Sequence, residues 1–203
     1  MARLPIEHIA DQDVDEALDR ELRSLLSVCF TRPQDHVFRQ RRYWKEQPAY
    51  RWLMRTTGGD LVAQVAVHDK TFIVQSEREG LPAERDSTPH TMRVAGIAEV
   101  CVHPAARGMG HVKELLGVAH AALEEMGFEF AALFGKPEVY RSSGYLFADN
   151  PVYFLDDTDD TDDAEDTWHT KRFDGRESGA FLWRPLARSD WPQGTIDIRG
   201  PKF

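Results

Sequence analysis

A short glycine turn between a strand and a helix carries the residues of this sequence best suited to bind an anion. Arg107, Gly108 and Gly110 follow an apolar stretch that ends at His103, and a helical pattern begins directly after them. Glycine has no Cβ, so its backbone N–H can approach a ligand closely, and a helix start offers unpaired N–H donors with a partial positive charge. Arg107 and His111 add cationic character. The turn therefore predicts a phosphate site.

The same turn differs from two common nucleotide-binding motifs. It lacks the Lys-Ser/Thr ending of a P-loop, which excludes a nucleoside triphosphatase of that type. It also lacks the three-glycine spacing of a dinucleotide-binding fingerprint. For the turn taken alone, a strand–helix–strand connection that binds nothing is the alternative interpretation.

Two motifs in this order resemble the GNAT superfamily of acyl-CoA-dependent N-acyltransferases. The family carries Arg/Gln-x-x-Gly-x-Gly/Ala before a helix; Arg107 and Gly110 match it, whereas Val112 replaces the small last residue. About 30 residues downstream, the segment from Tyr140 to Tyr145 fits the family's Tyr-x-x-x-Gly-Phe/Tyr. The resemblance covers roughly residues 50–150. A valine at position 112 is expected to crowd a bound diphosphate.

The resemblance implies that acetyl-CoA is the co-substrate and that no metal takes part. The backbone of the strand before the turn would hold the pantetheine arm and the thioester carbonyl, and the amides of the turn would hold the diphosphate. The cofactor-binding residues expected on this basis are Cys101, Val102, His103, Arg107, Gly108, Met109, Gly110, His111 and Val112. The histidines of the chain show no spacing that predicts a metal site.

Acyl transfer to an amine needs a base for the amine proton, and an acid eases departure of the thiolate. Tyr140 is the acid that the resemblance implies. Glu99 is our candidate base, because it lies in an apolar strand where burial would raise its pKa towards neutrality. A structural carboxylate is the equal alternative for Glu99, and His103 is a rival base that also fits a simple turn residue. Cys101 could act as a covalent nucleophile, but a buried structural thiol is the more common case.

The expected reaction is acetyl transfer to a primary amine of a small molecule by direct attack. The order of motifs resembles the aminoglycoside 2'-N-acetyltransferases, and the tail from Ser189 to Thr195, with Gly200-Pro201, resembles the nodulation N-acyltransferases. Both groups modify amino sugars, so an amino sugar or aminoglycoside is the acceptor that the resemblance suggests. The alternatives are a longer-chain N-acyltransferase of the nodulation type, a non-catalytic acyl-CoA-binding module, and a peptide N-terminal acetyltransferase.

The helices and strands expected from the sequence predict a single α/β (α+β) domain over residues 1–203, and this domain must position the residues above. We expect the GNAT fold, with a mixed, strongly twisted sheet of six to seven strands flanked by about four helices. Residues 75–90 are expected to form a polar loop and 156–166 an acidic loop. Helices are predicted after caps at Asp11 and Asp13, over Gln34–Lys45, and from the glycine turn to Gly127. Strands are expected over 1–10, 50–57, 61–74, 91–103, 128–134, 152–155, 178–186 and 196–198.

The composition limits the partners of the chain. A net charge of −9 over 203 residues argues against sequence-independent binding of nucleic acid, which needs a basic face. No apolar run approaches ~20 residues, so no membrane span is expected. The two cysteines, Cys29 and Cys101, lie in apolar contexts and predict a reduced pair in a cytoplasmic protein. The resemblance leaves a homodimer open.

Overall fold

The computed structural model describes residues 3–75, 89–157, 168–173 and 179–203, which form one mixed sheet with helices on its faces. The strands β1 to β10 span Ile6–Ala10, Tyr50–Arg55, Leu61–Gln75, His90–Val102, Phe130–Gly135, Leu146–Phe147, Val152–Asp157, Trp168–Arg172, Ala180–Pro185 and Thr195–Asp197. The helices α1 to α3 span Glu16–Cys29, His111–Glu125 and Pro137–Tyr140. Short 3-10 helices span Asp11–Asp13, Pro33–Arg39, Pro104–Ala106 and Arg141–Ser143.

The long strand β3 organises the sheet, because it pairs with β4 along one edge and with two strands along the other. Its first half pairs with β2, which in turn pairs with β1, and its last residues pair with β10. The order along the main path is β6-β9-β5-β4-β3-β10-β7-β8. The β4–β5 and β10–β7 pairs are parallel and the others antiparallel, so the sheet is mixed as the sequence predicts.

Strands β4 and β5 pair only over a short stretch and then separate. Val94–Gly96 pairs in parallel with Phe130–Ala132, after which β4 runs on to Val102 while β5 pairs only with β9 among the described strands. A gap therefore opens between the carboxyl ends of the two strands. Parallel strands that part in this way leave a crevice where a ligand can enter.

Helix α2 covers one face of the sheet with the residues that its periodicity predicts. Leu115, Leu116, Ala119 and Leu123 are fully buried against residues of β2, β3 and β4. Gly127 adopts φ +81° directly after the helix, which confirms its expected role as a C-terminal glycine. The opposite face buries a cluster rich in phenylalanine and, beneath α1, a smaller cluster that includes Cys101.

The segment Gln34–Lys45 is not the helix that the sequence predicts. The structure has a 3-10 helix over Pro33–Arg39, and bends follow it. The reason lies in long-range partners: the N–H of Trp44 donates to the Glu99 carboxylate, and the Arg42 guanidinium binds Asp11. A continuous helix would use that N–H for its own ladder.

The cap of the first helix was also placed wrongly. Asp15 is the cap, since its carboxylate accepts from the N–H of Leu18 at 2.8 Å. Asp11 is instead fully buried between two arginines, Arg42 and Arg51. In the same basic segment Arg41 is exposed, whereas Arg42 is half-buried in its ion pair with Asp11.

The fold class is confirmed, although the described sheet has ten strands rather than six or seven. Eight of the ten match the strand ranges expected from the sequence, and the two without an expected counterpart are β6, which has two residues, and β8, which is rich in charged residues. Of the expected polar loop, Gln75 and His90 belong to strands and 76–88 lie outside the described residues. Of the expected acidic loop, 156 and 157 end β7 and 158–166 lie outside the described residues. No helix within the described ranges is long and apolar enough to cross a membrane.

Candidate active site

A β-bulge in β4 places Glu99 in an unusual backbone conformation. Gln64 of β3 lies opposite Cys101 and Ala66 lies opposite Ala98, so one residue of β3 faces two residues of β4. Glu99 has φ +50°, in the left-handed region that residues other than glycine seldom adopt. Such conformations cost about 1–3 kcal/mol and persist where surrounding contacts enforce them. The bulge turns the Glu99 side chain away from the regular alternation of the strand.

The carboxylate of Glu99 is buried and hydrogen-bonded. Its side chain is 5% exposed, and it accepts from the N–H of Trp44 at 2.6 Å and from the Arg51 guanidinium at 3.4 Å. Burial raises the pKa of Glu99 from 4.5 to about 7, against the opposing influence of Arg51 and of the Trp44 N–H. A carboxylate with this pKa can accept and release a proton near neutral pH.

A buried network of ion pairs and hydrogen bonds contacts Glu99. Arg51 is fully buried; it contacts the Asp11 carboxylate and donates to the amide oxygen of Gln64 at 2.8 Å. The Gln64 amide donates in turn to the backbone oxygen of Glu99 at 2.5 Å. Burial alone would raise the pKa of Asp11, but Arg42 and Arg51 outweigh burial and hold it below its ordinary value. Sequence reasoning missed this network, because its members are far apart in the chain.

The glycine turn presents free backbone donors. Gly108 has φ +77°, and Gly110 has φ +82° and caps α2 without any side-chain hydrogen bond. Among the described residues, no group accepts from the N–H groups of 108–113. The Arg107 Nε donates to the carbonyl of Val102 at 3.2 Å, which fixes its guanidinium beside the turn. These donors and the helix start form a site for a negatively charged group.

A cavity of about 390 Å³ connects this turn with Tyr140. It lies where β4 and β5 separate, between the end of α1 and the start of α2. Its lining comprises Cys29, Phe30, Val100, Cys101, Val102, Ala106, Arg107, Gly108, Gly110, His111, Val112, Val139 and Tyr140. The cavity thus joins an anion site to a phenol, which suits a long ligand with a phosphate at one end and a reactive group at the other.

Tyr140 ends the short helix α3 and lies between Gly135 and Tyr145. Its ring meets that of Tyr145 edge-on, with centroids 5.8 Å apart. A Cβ at Gly135 would lie 2.7 Å from the Tyr140 ring, so this glycine makes room for the phenol. Burial, and next the nearby Cys101, raise the pKa of Tyr140 to about 12. The phenol therefore stays protonated at neutral pH and can donate.

The structure brings together most of the residues predicted to bind the cofactor, with a few exceptions. His103 does not line the cavity: its N–H donates to Val62, and its Nδ1 accepts from Ala105 as a turn residue does. The Met109 side chain is exposed, although its N–H belongs to the turn. Glu99 does not line the cavity either, because its carboxylate faces Trp44.

Two cavity residues from the end of α1 were not predicted as site residues. Cys29 lies on the helix face expected to be buried, and Phe30 follows it. The sequence signal was that apolar periodicity, but it could not show which strand the helix end would meet. Val100 and Val139 complete the apolar wall.

Within the described part of the chain, no group of three His, Cys, Asp or Glu side chains could hold a metal ion. Burial lowers the pKa of both His68 and His120 to about 3, so both are neutral. His120 pairs with the hydroxyl of Tyr145 at 2.9 Å, which is a packing role.

Comparison with known proteins agrees with this geometry. Residues 87–148 match the family model described as acetyltransferase (GNAT) domain. A search of curated protein sequences finds no match. The matched segment contains the bulged end of β4, the glycine turn, α2 and Tyr140.

Solved structures share the fold at low sequence identity. The GNAT family N-acetyltransferase YhbS of Escherichia coli, in complex with CoA, superposes with a TM-score of 0.61 at 18% identity, covering 98% of this chain and 92% of that one. A GNAT family acetyltransferase of Brucella melitensis, in complex with acetyl-CoA, gives 0.54 at 14%, covering 96% of each chain. The ribosomal-protein-S18-alanine N-acetyltransferase of Escherichia coli gives 0.52 at 10%, covering 93% and 99%.

Residues 87–148 therefore match a GNAT acetyltransferase domain model, and solved structures that share the fold of this chain are named as N-acetyltransferases. The family model over 87–148 supports the prediction of an enzyme of this class. None of the three matched structures is named as an aminoglycoside or nodulation enzyme, so this narrower resemblance stays a prediction.

Proposed function

We propose that this chain transfers an acetyl group from acetyl-CoA to a primary amine of a small molecule by direct attack. One observation carries the proposal: unpaired backbone N–H groups at the start of α2 and the phenol of Tyr140 open into the same cavity. A diphosphate held at one end would place the thioester at the other. Holding two reactants in this way can supply much of the acceleration of a transfer reaction.

The donor end of the cavity would be held by the glycine turn. The N–H groups of 108–113 would donate to the diphosphate, and Arg107 would add a positive charge. The Nδ1 of His111 is shielded from solvent and has no partner among the described residues, so it is available to the same group. Val112 packs against the core beneath α2 and also lines the cavity, so the crowding expected from a valine at this position stays a prediction.

Glu99 and Tyr140 would divide the proton transfers between them. The amine must lose a proton to become a nucleophile, and Glu99 would take that proton. Because the Glu99 carboxylate lies outside the cavity lining, the proton would reach it through an intervening water. Tyr140 would give its proton to the departing thiolate. The raised pKa of Glu99 and the protonated state of Tyr140 suit these two roles.

The acceptor is proposed to be a small amine, with amino sugars as the class to try first. This choice rests on the motif order. The tail does not add to it, because Trp191 stacks on Trp183 with ring centroids 4.8 Å apart and donates to Asn150 at 2.6 Å, as a packing device would. A cytoplasmic location and a homodimer stay predictions.

A screen of amines tests the proposal directly. The protein would be incubated with acetyl-CoA and separate panels of amino sugars, aminoglycosides, polyamines, amino acids and peptides with free N-termini, and the released thiol would be measured. We expect release to depend on one amine class and to fall with acyl-CoA donors of longer chain. Binding of acetyl-CoA without amine-dependent release in any panel, the peptide N-termini included, would favour the non-catalytic module.

A further inference from the structure

The only two cysteines of the chain, Cys29 and Cys101, both line the donor cavity, although the proposed acetyl transfer uses neither thiol. Cys29 is the last residue of α1, and Cys101 lies on β4 beyond the bulge. Both are free thiols, and Cys29 packs against the small buried cluster that contains Cys101. Two thiols that are far apart in sequence and lie together at the wall of a ligand cavity are candidates for a reaction of their own.

The surroundings of the two thiols differ. Cys29 is half-buried and, when protonated, donates to the carbonyl of Val102 at 3.3 Å. The Arg107 guanidinium donates to the same carbonyl at 3.2 Å, so a fixed positive charge lies beside the Cys29 sulfur. Cys101 is 6% exposed and packs among Leu25, Leu26 and Phe38. Both cysteines therefore border the cavity, but only Cys29 is partly exposed and has a cation beside it.

The acidities follow from these surroundings. The hydrogen bond from Cys101, and then Arg107, lower the pKa of Cys29 to about 7 despite burial. The same contact and the burial of Cys101 raise the pKa of Cys101 well above its ordinary value. A thiolate is the reactive form of cysteine, and sensor thiols combine a low pKa, solvent access and a neighbouring second cysteine.

We propose that Cys29 is a modification site for small-molecule disulfides, and that Cys101 resolves the adduct into a Cys29–Cys101 disulfide. In the first step the Cys29 thiolate attacks one sulfur of the small disulfide; a bond forms between the two sulfurs and the other half leaves as a thiolate. In the second step the Cys101 sulfur attacks the Cys29 sulfur, and the second half leaves as a thiolate that takes the Cys101 proton. Two protein thiols are oxidised and one disulfide is reduced to two thiols.

The test uses oxidised glutathione, the native full-length chain and intact-mass spectrometry. We expect the wild type to lose about 2 Da, the mass of two hydrogens, with no adduct left at the end. Cys101→Ser should stop at a stable adduct of one glutathionyl group on Cys29, because the resolving thiol is missing. Cys29→Ser should form no internal disulfide and no rapid glutathionyl adduct, and should react only slowly, at the buried Cys101. The two variants are matched controls for each other, since the chain has no third cysteine.

Two outcomes would overturn the proposal. One is a Cys29→Ser protein that reacts as fast as Cys101→Ser. The other is a wild type in which the glutathionyl adduct persists without conversion to the internal disulfide. Thermal unfolding of the reduced variants checks that each one folds. Peptide mapping of the wild-type adduct trapped at early times identifies the attacking thiol without any substitution. Coenzyme A takes no part in these measurements, so their failure would leave the proposed acetyl transfer untouched.

Discussion

The backbone N–H of Trp44 donates to the carboxylate of Glu99 over 2.6 Å, across 55 positions of sequence. This bond attaches the segment after the 3-10 helix Pro33–Arg39 to the bulge of β4. It also points the carboxylate away from the cavity that holds Tyr140. The proposed base is thus fixed by an element that sequence reasoning had interpreted as a helix.

Glu99→Gln should separate the role of the base from that of the fold. Glutamine keeps the shape and can still accept from Trp44, but it cannot take a proton. For the wild type, kcat with an identified amine should rise as pH passes about 7, because the base acts when ionised. The variant should lose about 10²-fold in kcat and this ascending limb of the pH profile. If Glu99→Gln keeps the ascending limb of the pH profile, that limb reports the titration of another group.

The same substitution has a consequence for stability that needs no substrate. The pKa of Glu99 is about 7 in the folded chain and ordinarily 4.5, so the folded state binds the proton more tightly. The stabilisation is complete below about pH 4.5 and is lost as pH rises through about 7. As pH rises between these values, Glu99→Gln should therefore gain about 3 kcal/mol in free energy of unfolding relative to wild type.

Tyr140→Phe tests the proposed acid. The phenol is protonated at working pH, since its pKa is raised to about 12, and phenylalanine removes only the hydroxyl. Turnover with an identified amine should fall about 10²-fold, while affinity for coenzyme A, measured by thermal shift, should stay within a factor of two or so of wild type. Equal turnover in the two proteins would remove Tyr140 from the mechanism.

Gly135→Ala tests whether the position of the phenol matters as much as its presence. The new Cβ would lie 2.7 Å from the Tyr140 ring, so the ring must move. We expect a loss of about 1–3 kcal/mol in stability and a fall in turnover. Gly117→Ala is the matched control: nothing lies within 4 Å of its Cβ on helix α2, and it should add up to about 1 kcal/mol. Full turnover in Gly135→Ala would show that the ring position is not critical.

Gly110→Ala tests the glycine turn. Gly110 has φ +82° and an added Cβ meets nothing within 4 Å, so the substitution strains the backbone by about 1–2 kcal/mol without a clash. Gly59→Ala, in the hairpin between β2 and β3, imposes the same kind of strain at φ +97° at a residue that does not line the cavity. Both should lose similar stability in thermal unfolding, but only Gly110→Ala should weaken binding of coenzyme A, by about tenfold. Equal affinities in the two variants would contradict a role for the turn.

Local signals were enough to predict the part of the site that local sequence forms. The glycines of the turn and the apolar period of α2 act within about 20 residues, and the structure has both where the sequence puts them. Glu99 was found because a charged residue in an apolar strand stands out. The backbone conformation of Glu99 could not be predicted, since a bulge depends on the register of β4 with β3.

Contacts between residues that are far apart in the chain could not be predicted from the sequence. The sequence alone predicts a solvent-facing charge for Arg42, because it does not show that Asp11, 31 positions away, lies beside it. The sequence alone predicts a core residue of α1 for Cys29, because it does not show that the Cys29 thiol donates to the carbonyl of Val102, 73 positions away. Periodicity assigns a face to each element but not the neighbour that this face will contact.

The central claim is that free amides at the start of α2 hold a diphosphate. Isothermal titration of coenzyme A and of pantetheine, which lacks the diphosphate and the nucleotide, tests it most directly. Hydrogen bonds to charged groups contribute about 1.5–3 kcal/mol each, so we expect coenzyme A to bind at least about 10²-fold more tightly, with a smaller gap in Gly110→Ala. Equal affinities for the two ligands in the wild type would contradict the claim.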